Sequence, residues 1–309
     1  MGPCEVVSTE LPVAPAPKLH ATTLHELQRG YAPIVILGMH RSGTSLLSRM
    51  LEDLGLFLGK SKDENNEAVF FQSVNEWLLR QTGGSWDNPA PIHYLVDSPE
   101  IAKRTTAYIR RYLLTSPRAA SYTGWLHYLR HRRLTPLSRP WGWKDPRNTF
   151  TLPIWLDIFS NAKIIHLHRA GMDVALSLRR RGRREFRLQR WYRSLPLLHW
   201  IRPKRGGFVH SLRCDHFDGG LALWNEYMEQ GNLHVAALKN RAFDISFETL
   251  VREPVRSLTA LAGFCELRVD QDAIQCAARL INLQVLSPTP EFQGSEVDLS
   301  YRNTQESPT

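Results

Sequence analysis

The stretch GMHRSGTSLL, residues 38 to 47, directly follows the apolar run Ile34-Val35-Ile36-Leu37. A strand that feeds a glycine-framed loop and then a helix turns its loop amides and the helix N-terminus toward a negative group. Thr44 and Ser45 add hydroxyl donors. The spacing approaches the nucleotide-binding pattern G-x-x-x-x-G-K-[ST]. Here Thr44 holds the lysine position, and Arg41 sits inside the loop instead. In loops that bind ATP or GTP, that lysine reaches the β- and γ-phosphates and the next hydroxyl holds Mg²⁺. Its loss argues against a triphosphate and for a ligand with one phosphate at this end. The plain alternative is a glycine-containing turn at a strand end that binds nothing.

Two further stretches bear on that choice. In R169-A-G-M-D-V-A-L-S177 an arginine ends a strand and a serine follows eight residues later, inside the next helix. Trp143-Lys144-Asp145-Pro146-Arg147 ends another strand. Three strand ends therefore each deliver basic or hydroxyl groups. In an open parallel sheet those ends share one edge, where ligands bind.

With these residues in place, the sequence resembles the sulfotransferase superfamily, whose members use 3′-phosphoadenosine 5′-phosphosulfate (PAPS). Arg41-Ser42-Gly43-Thr44-Ser45 is similar to the family's 5′-phosphosulfate loop, a basic residue followed by Ser-Gly-Thr-Ser/Thr. Arg169 and Ser177 stand at the spacing of its 3′-phosphate site, and Asp-Val-Ala-x-Ser at 173 to 177 fits as well. The resemblance covers about residues 32 to 265 and looks nearest to bacterial sulfotransferase-like proteins. It implies sulfuryl transfer from PAPS, as co-substrate, to a hydroxyl or amine of a glycan, lipid or small metabolite, with no metal required. It also implies roles. Arg41 reaches the leaving oxygen and 5′-phosphate, while Ser42, Gly43, Thr44 and Ser45 hold that phosphate. Arg169 and Ser177 hold the 3′-phosphate. Lys144 is similar to the lysine of the Lys-Asp-Pro turn in tyrosylprotein sulfotransferases, which stabilises the sulfuryl group. The general base in this family is a Glu or His. Glu67 fits, because it precedes the segment Val74-Asn75-Glu76 as a Glu precedes a similar Leu-Asn-Asp/Glu helix in related bacterial proteins.

Each assignment has a simpler rival. Glu67 could be a surface carboxylate at a helix start, where it favours the helix dipole. Asp63, Glu64, His40 and His93 compete for the role of base, although His40 reads better as a loop-packing residue. Lys144 could simply pair with Asp145, and Arg147 either neutralises phosphate or pairs with an acidic neighbour. Asp173 reads as a helix N-terminal residue.

The elements that must position these groups follow from apolar spacing. Residues 33–37 and 163–168 read as buried strands, WGWKDPR as a short strand with a turn, and FDISFETL as a strand near Ile245. Helices are expected over Leu46–Leu54 ended by Gly55, Val69–Arg80, Pro99–Leu114, Leu152–Phe159, from Asp173 onward, 220–230, and Glu248–Phe264. Residues 60–67 and 82–91 read as loops, and 179–218 as Arg-rich and then irregular. Strands alternating with helices imply an α/β, P-loop-like three-layer fold with a short parallel sheet flanked by helices. The expected organisation is a flexible segment over 1–30, an α/β domain over 31–286 with an acceptor or lid segment at 183–218, and a tail over 287–309. Two readings of that tail stay open, a cover over the nucleotide and a free end.

Composition narrows the partners. Of 309 residues, 42% are apolar, enough for a core, and Lys plus Arg outnumber Asp plus Glu by 39 to 30, giving a formal charge of +9. That surplus favours anionic partners, and its bias to arginine suits bidentate phosphate binding. The cluster from Arg179 to Arg193, interleaved with Trp191 and Tyr192, reads as a solvated basic face, a wall that attracts PAPS, or a membrane-surface contact. No nucleic-acid-binding motif accompanies it. Cys4, Cys214, Cys265 and Cys276 lie far apart, which fits free thiols in a reducing compartment and argues against a structural zinc. No run of 18 apolar residues, signal peptide or myristoylation pattern is present, so a cytoplasmic protein without a transmembrane span is expected. A kinase using ATP and Mg²⁺ and a non-catalytic nucleotide binder of the same fold remain the competing readings.

Overall fold

Four short strands set the architecture. The computed structural model describes residues 30–131, 134, 137–193 and 210–285, and the side chains of 185–193 and 282–285 are outside that description. The expected N-terminal segment before residue 30, the 194–209 part of the expected acceptor segment and the expected tail from 287 lie outside the described residues. The chain runs through β1 (Ile34–Leu37), α1 (Thr44–Asp53), α2 (Val69–Gln81), α3 (His93–Val96), α4 (Pro99–Thr115), α5 (Ala119–Thr123) and α6 (Trp125–His131). It continues through β2 (Gly142–Lys144), α7 (Asn148–Ile158), β3 (Lys163–His168), α8 (Gly171–Arg193) and α9 (Phe217–Leu238). It ends with β4 (Ala242–Ser246), α10 (Phe247–Arg252), α11 (Pro254–Phe264) and α12 (Gln271–Val285). The sheet order is β2-β1-β3-β4 and every pairing is parallel.

A parallel sheet is covered on both faces, so its strands read as continuous apolar runs rather than alternating ones. β1 shows why. Val35 and Leu37 face one core, with Phe71 of α2, Trp143 of β2 and Trp155 of α7. Ile34 and Ile36 face the other, with Leu47 and Met50 of α1, Leu258 and Leu261 of α11 and Ile281 of α12. Phe71 and Trp143 stack with ring centroids 4.1 Å apart, tying α2 to the sheet. The result is three layers, helix over sheet over helix.

Local chemistry fixes the element ends. α1 closes in a Schellman motif: Gly55 sits at φ 99°, its amide donates to Glu52 O, and Leu56 N donates to Leu51 O. Pro153 inside α7 cannot donate to Thr149 O, and buried His234 of α9 fills that place, with Nε2 2.8 Å from the carbonyl.

One expectation needs correction. The single helix expected over Glu248–Phe264 is two, α10 and α11. Glu253 leaves the helical region at φ −129°, because the ring of Pro254 disfavours it there, and Pro254 then opens α11. The helix expected from Asp173 onward runs through the arginines to Arg193, and long straight-chain arginines sustain a helix well.

Candidate active site

Strand order brings the three sequence stretches to one edge. β1 lies between β2 and β3, so the loop after β1 is flanked by the turns that follow Lys144 and His168. The loop itself is tightly wound. Gly38 adopts φ 131°, and a Cβ there would lie 2.1 Å from Leu167 O, so β3 passes too close for any side chain. Arg41 adopts φ 71°, a left-handed conformation that costs a non-glycine residue energy. Gly43, at φ 92°, is the N-cap of α1, and no side chain caps that helix end. Thr44 and Ser42 are buried, and the Ser42 hydroxyl has no hydrogen-bond partner among the described residues. Orphan amides at a helix N-terminus beside a buried hydroxyl suit an oxyanion.

Arg41 and Ser177 meet across 136 residues of sequence: Arg41 Nε donates to Ser177 Oγ at 2.8 Å. Arg169 is joined to the same region through Phe247. Its guanidinium carbon is 4.9 Å from the Phe247 ring centroid, and a Cβ on Gly43 would be 2.3 Å from that ring. Arg169 also pairs with Asp173 at 3.1 Å, while its buried Nε has no hydrogen-bond partner among the described residues.

Glu67 and Lys144 form the second half of the site, 77 residues apart in sequence. Lys144 Nζ donates to Glu67 Oε1 at 3.0 Å, to Asn65 O at 3.0 Å and to Ser45 Oγ at 3.4 Å. Ser45 Oγ in turn donates to Asn65 O at 2.7 Å. One ammonium therefore touches both the loop after β1 and the carboxylate. Glu67 is 1% exposed, and its other oxygen accepts from Arg147 Nη1 at 3.3 Å and Gln72 Nε2 at 3.1 Å.

The model of a family described as "Sulfotransferase family" matches residues 33–271, a span that holds every one of these groups. The chain belongs to the sulfotransferase family.

Several solved sulfotransferases are similar to it. The sulfotransferase domain of the curacin biosynthetic pathway is 18% identical, with a TM-score of 0.45, over 86% of this chain and 79% of that one. Sulfotransferase STF1 of Mycobacterium tuberculosis H37Rv is 16% identical, with a TM-score of 0.44, over 87% and 78%. Retinol dehydratase, solved with androsterone and the inactive cofactor PAP, is 16% identical, with a TM-score of 0.35, over 87% and 68%. No curated protein matches the chain with significance.

In this sulfotransferase the buried carboxylate has an unusual electrostatic setting. Burial pushes the Glu67 carboxyl up, the Asp145 carboxylate adds to that, and Lys144 and Arg147 oppose it; the net direction is upward. Arg147 is stabilised as a cation, since the carboxylates of Asp145 and Glu67 outweigh its own burial. Among the described residues no group of His, Cys, Asp or Glu has the makings of a metal site.

The rival side chains lie as follows. Asp63 caps the loop that leads to Glu67, its Oδ1 accepting from Asn65 N at 3.0 Å and Glu67 N at 2.8 Å. His40 is buried edge-on to Trp86 at 4.8 Å, and burial holds its imidazole well below the usual range. His93 is exposed beside Tyr94. Lys144 does not pair with Asp145 as the simpler reading had it; successive strand residues point opposite ways, and Asp145 turns to Arg147 and Asn75 instead.

Sequence reasoning missed the support behind these groups. Asn75 Nδ2 donates to Asp145 Oδ2 at 2.9 Å and Asn148 Oδ1 at 2.8 Å, and Asn75 Oδ1 accepts from Thr151 and Trp155, both at 2.8 Å. Phe247 was missed too, although an aromatic directly after a strand was a visible signal. The Asn75 network had no local signal, because its members come from three separate elements.

Proposed function

We propose that this protein transfers a sulfuryl group from PAPS to a hydroxyl or amine acceptor, with Glu67 as general base. The observation that carries the reading is the Lys144 ammonium, shared between Ser45 of the loop and Glu67. It puts the loop that would hold the donor within one side chain of a carboxylate that could take the acceptor's proton. The uncapped start of α1, the orphan Ser42 hydroxyl and the orphan Arg169 nitrogen suit a ligand with phosphate at both ends of a nucleoside. PAPS would supply the activated sulfuryl group. Arg41, Ser42, Gly43, Thr44 and Ser45 would hold its 5′ side, and Arg169 and Ser177 its 3′-phosphate.

The chemistry then needs three things of this chain. Glu67 accepts the proton as the acceptor oxygen or nitrogen bonds to sulfur; its raised pKa makes it a better base than an ordinary surface carboxylate. Lys144 and Arg41 face the charge that develops as the bond between sulfur and the leaving phosphate oxygen breaks. Preorganised charge of this kind is usually the largest single catalytic contribution. The products are the sulfated acceptor and 3′,5′-adenosine bisphosphate (PAP), with the proton on Glu67. Arg147, held by Asp145 and Glu76, fixes the carboxylate and opposes the upward push of burial on it.

No helix among the described residues is long and apolar enough to cross a membrane. The free thiols of Cys214, Cys265 and Cys276 favour a reducing compartment, and we place the protein in the cytoplasm. The test is a panel of glycan, lipid and small-metabolite acceptors incubated with PAPS, read by PAP release and by acceptor mass. Transfer of one sulfuryl group supports the reading. Phosphoryl transfer from ATP and Mg²⁺ to the same panel would replace it with the kinase reading.

A further inference from the structure

We propose that the face built around α6 docks the protein onto an anionic phospholipid bilayer. The first observation is a charge pattern. Between Glu100 and Asp145 the sequence has no acidic residue and carries ten Lys or Arg. Two of these are neutralised, Arg104 by Glu100 and Lys144 by Glu67. Arg118, Arg130 and Lys60 form no ion pair among the described residues, and Lys60 lines one cleft with Arg118 and Trp125.

The second observation is apolar. α6 leaves Trp125 65%, Leu126 88% and Leu129 62% exposed. Their i, i+3 and i, i+4 spacings put them together on the helix surface. A single exposed leucine means little, but a contiguous patch with a tryptophan marks an interaction site. Arg130 and His131 flank the patch at the helix end, both exposed. Trp125 also walls an open cleft of about 540 Å³, lined with Lys60, Ser61, Pro117, Arg118 and Ser121. Tryptophan and leucine ringed by cations is the composition of a surface that sinks into the boundary between headgroups and acyl chains.

The charge selects among occupants. Two copies of this cationic face would repel each other, which argues against self-association through it. An anionic bilayer satisfies the cations and the apolar residues at once. Docking there would also touch the loop that leads to the candidate base. Lys60 N and Ser61 N donate to Tyr122 O and Ser121 O, both at 2.9 Å, so the cleft floor is the start of the loop that ends at Glu67. A lipid-borne acceptor would be delivered beside that loop.

The experiment is co-sedimentation of the full chain with phosphatidylcholine vesicles, with and without phosphatidylglycerol. Two double variants accompany it, Trp125→Ser with Leu126→Ser, and Lys60→Glu with Arg118→Glu. All four positions are solvent-facing, and unchanged melting temperature and PAP binding report intact folding. The expected result is binding only to phosphatidylglycerol vesicles, weakened by salt. Each lysine or arginine near an anionic surface contributes roughly fivefold, so the charge reversal should weaken binding at least about 25-fold. Wild-type protein that stays in the supernatant overturns the proposal. So does binding that survives both double variants, which would move the contact elsewhere, for instance to Arg179–Arg193. A dimer abolished by the Trp125 and Leu126 changes, or RNA binding abolished by the charge reversal without vesicle binding, would assign the face to another partner.

Discussion

Replacing Glu67 with Gln tests the base with little change in shape. The carboxylate is 1% exposed and lies between Lys144 at 3.0 Å and Arg147 at 3.3 Å. Removing one partner of a buried pair costs about 3–5 kcal/mol. Three features lower that here. Arg147 keeps Asp145 at 3.1 Å, Lys144 keeps Asn65 O at 3.0 Å, and glutamine leaves no cavity. The carboxylate is also already penalised by its own burial. We therefore expect a loss of about 2 kcal/mol, below the usual range for breaking such a pair. At about 2–4 °C per kcal/mol for a domain of this size, that lowers the melting temperature by about 4–8 °C. Turnover should fall about 10²- to 10⁴-fold, the usual worth of a positioned base. The PAP dissociation constant should stay unchanged, because Glu67 touches none of the groups assigned to the phosphates. The assay is the initial rate of PAP release with a saturating acceptor, beside PAP titration of the same protein. Turnover within about threefold of wild type would refute Glu67 as base. Loss of PAP binding in parallel with turnover would refute it as well, by making Glu67 a structural residue.

Other outcomes follow from the same geometry. Ser177→Ala removes the hydroxyl that accepts from Arg41 at 2.8 Å, and PAP binding measured by calorimetry should weaken about 10-fold or more, the worth of a hydrogen bond to a charged group. Arg147→Met removes a cation that holds the Glu67 carboxyl down, so the acid limb of kcat/KM against pH should move to higher pH; an unmoved limb would show that another group titrates there. Asp244 is hydrogen-bonded to His166 and lies 3.7 Å from His168. The nearby Asp244 carboxylate raises the His168 pKa, and the two histidines, against the effect of burial, hold the Asp244 carboxyl well below its usual range. The His168 contribution is present below about pH 6.5 and fades as pH rises, whereas the Asp244 contribution is present above about pH 4 and fades as pH falls. The stability difference between wild type and Asp244→Asn should therefore peak between those values and shrink by pH 8 in urea titrations. A difference that grows toward pH 8 would contradict the pairing.

The fold was legible where its signals are local. Ile34-Val35-Ile36-Leu37 is a short apolar run of the kind a strand covered on both faces requires, and KIIHLH sets Ile164, Ile165 and Leu167 in a span as short. The loop from Gly38 to Ser45 carries its phosphate-like geometry in consecutive residues. Glu67 and Lys144 could be named separately, but not as neighbours, because 77 residues separate them and only the β1–β2 pairing brings them together. The same holds for Asn75, whose partners Asp145, Asn148, Thr151 and Trp155 come from a turn and a helix far along the chain. Glu253-Pro254 was a readable break that the apolar periodicity on either side concealed. Adjacency in sequence suggested Asp145 as a rival partner for Lys144, and alternation along a strand separates the two.

The most direct measurement is a thermal-shift comparison of PAP alone with ATP and Mg²⁺. Ligand at 100 times its dissociation constant stabilises the folded chain by about 2.7 kcal/mol. For a domain of this size that is a rise of roughly 5–10 °C. The account predicts that rise with PAP and none with ATP and Mg²⁺. A rise with ATP and Mg²⁺ alone, or none with either, would contradict a PAPS-dependent sulfotransferase.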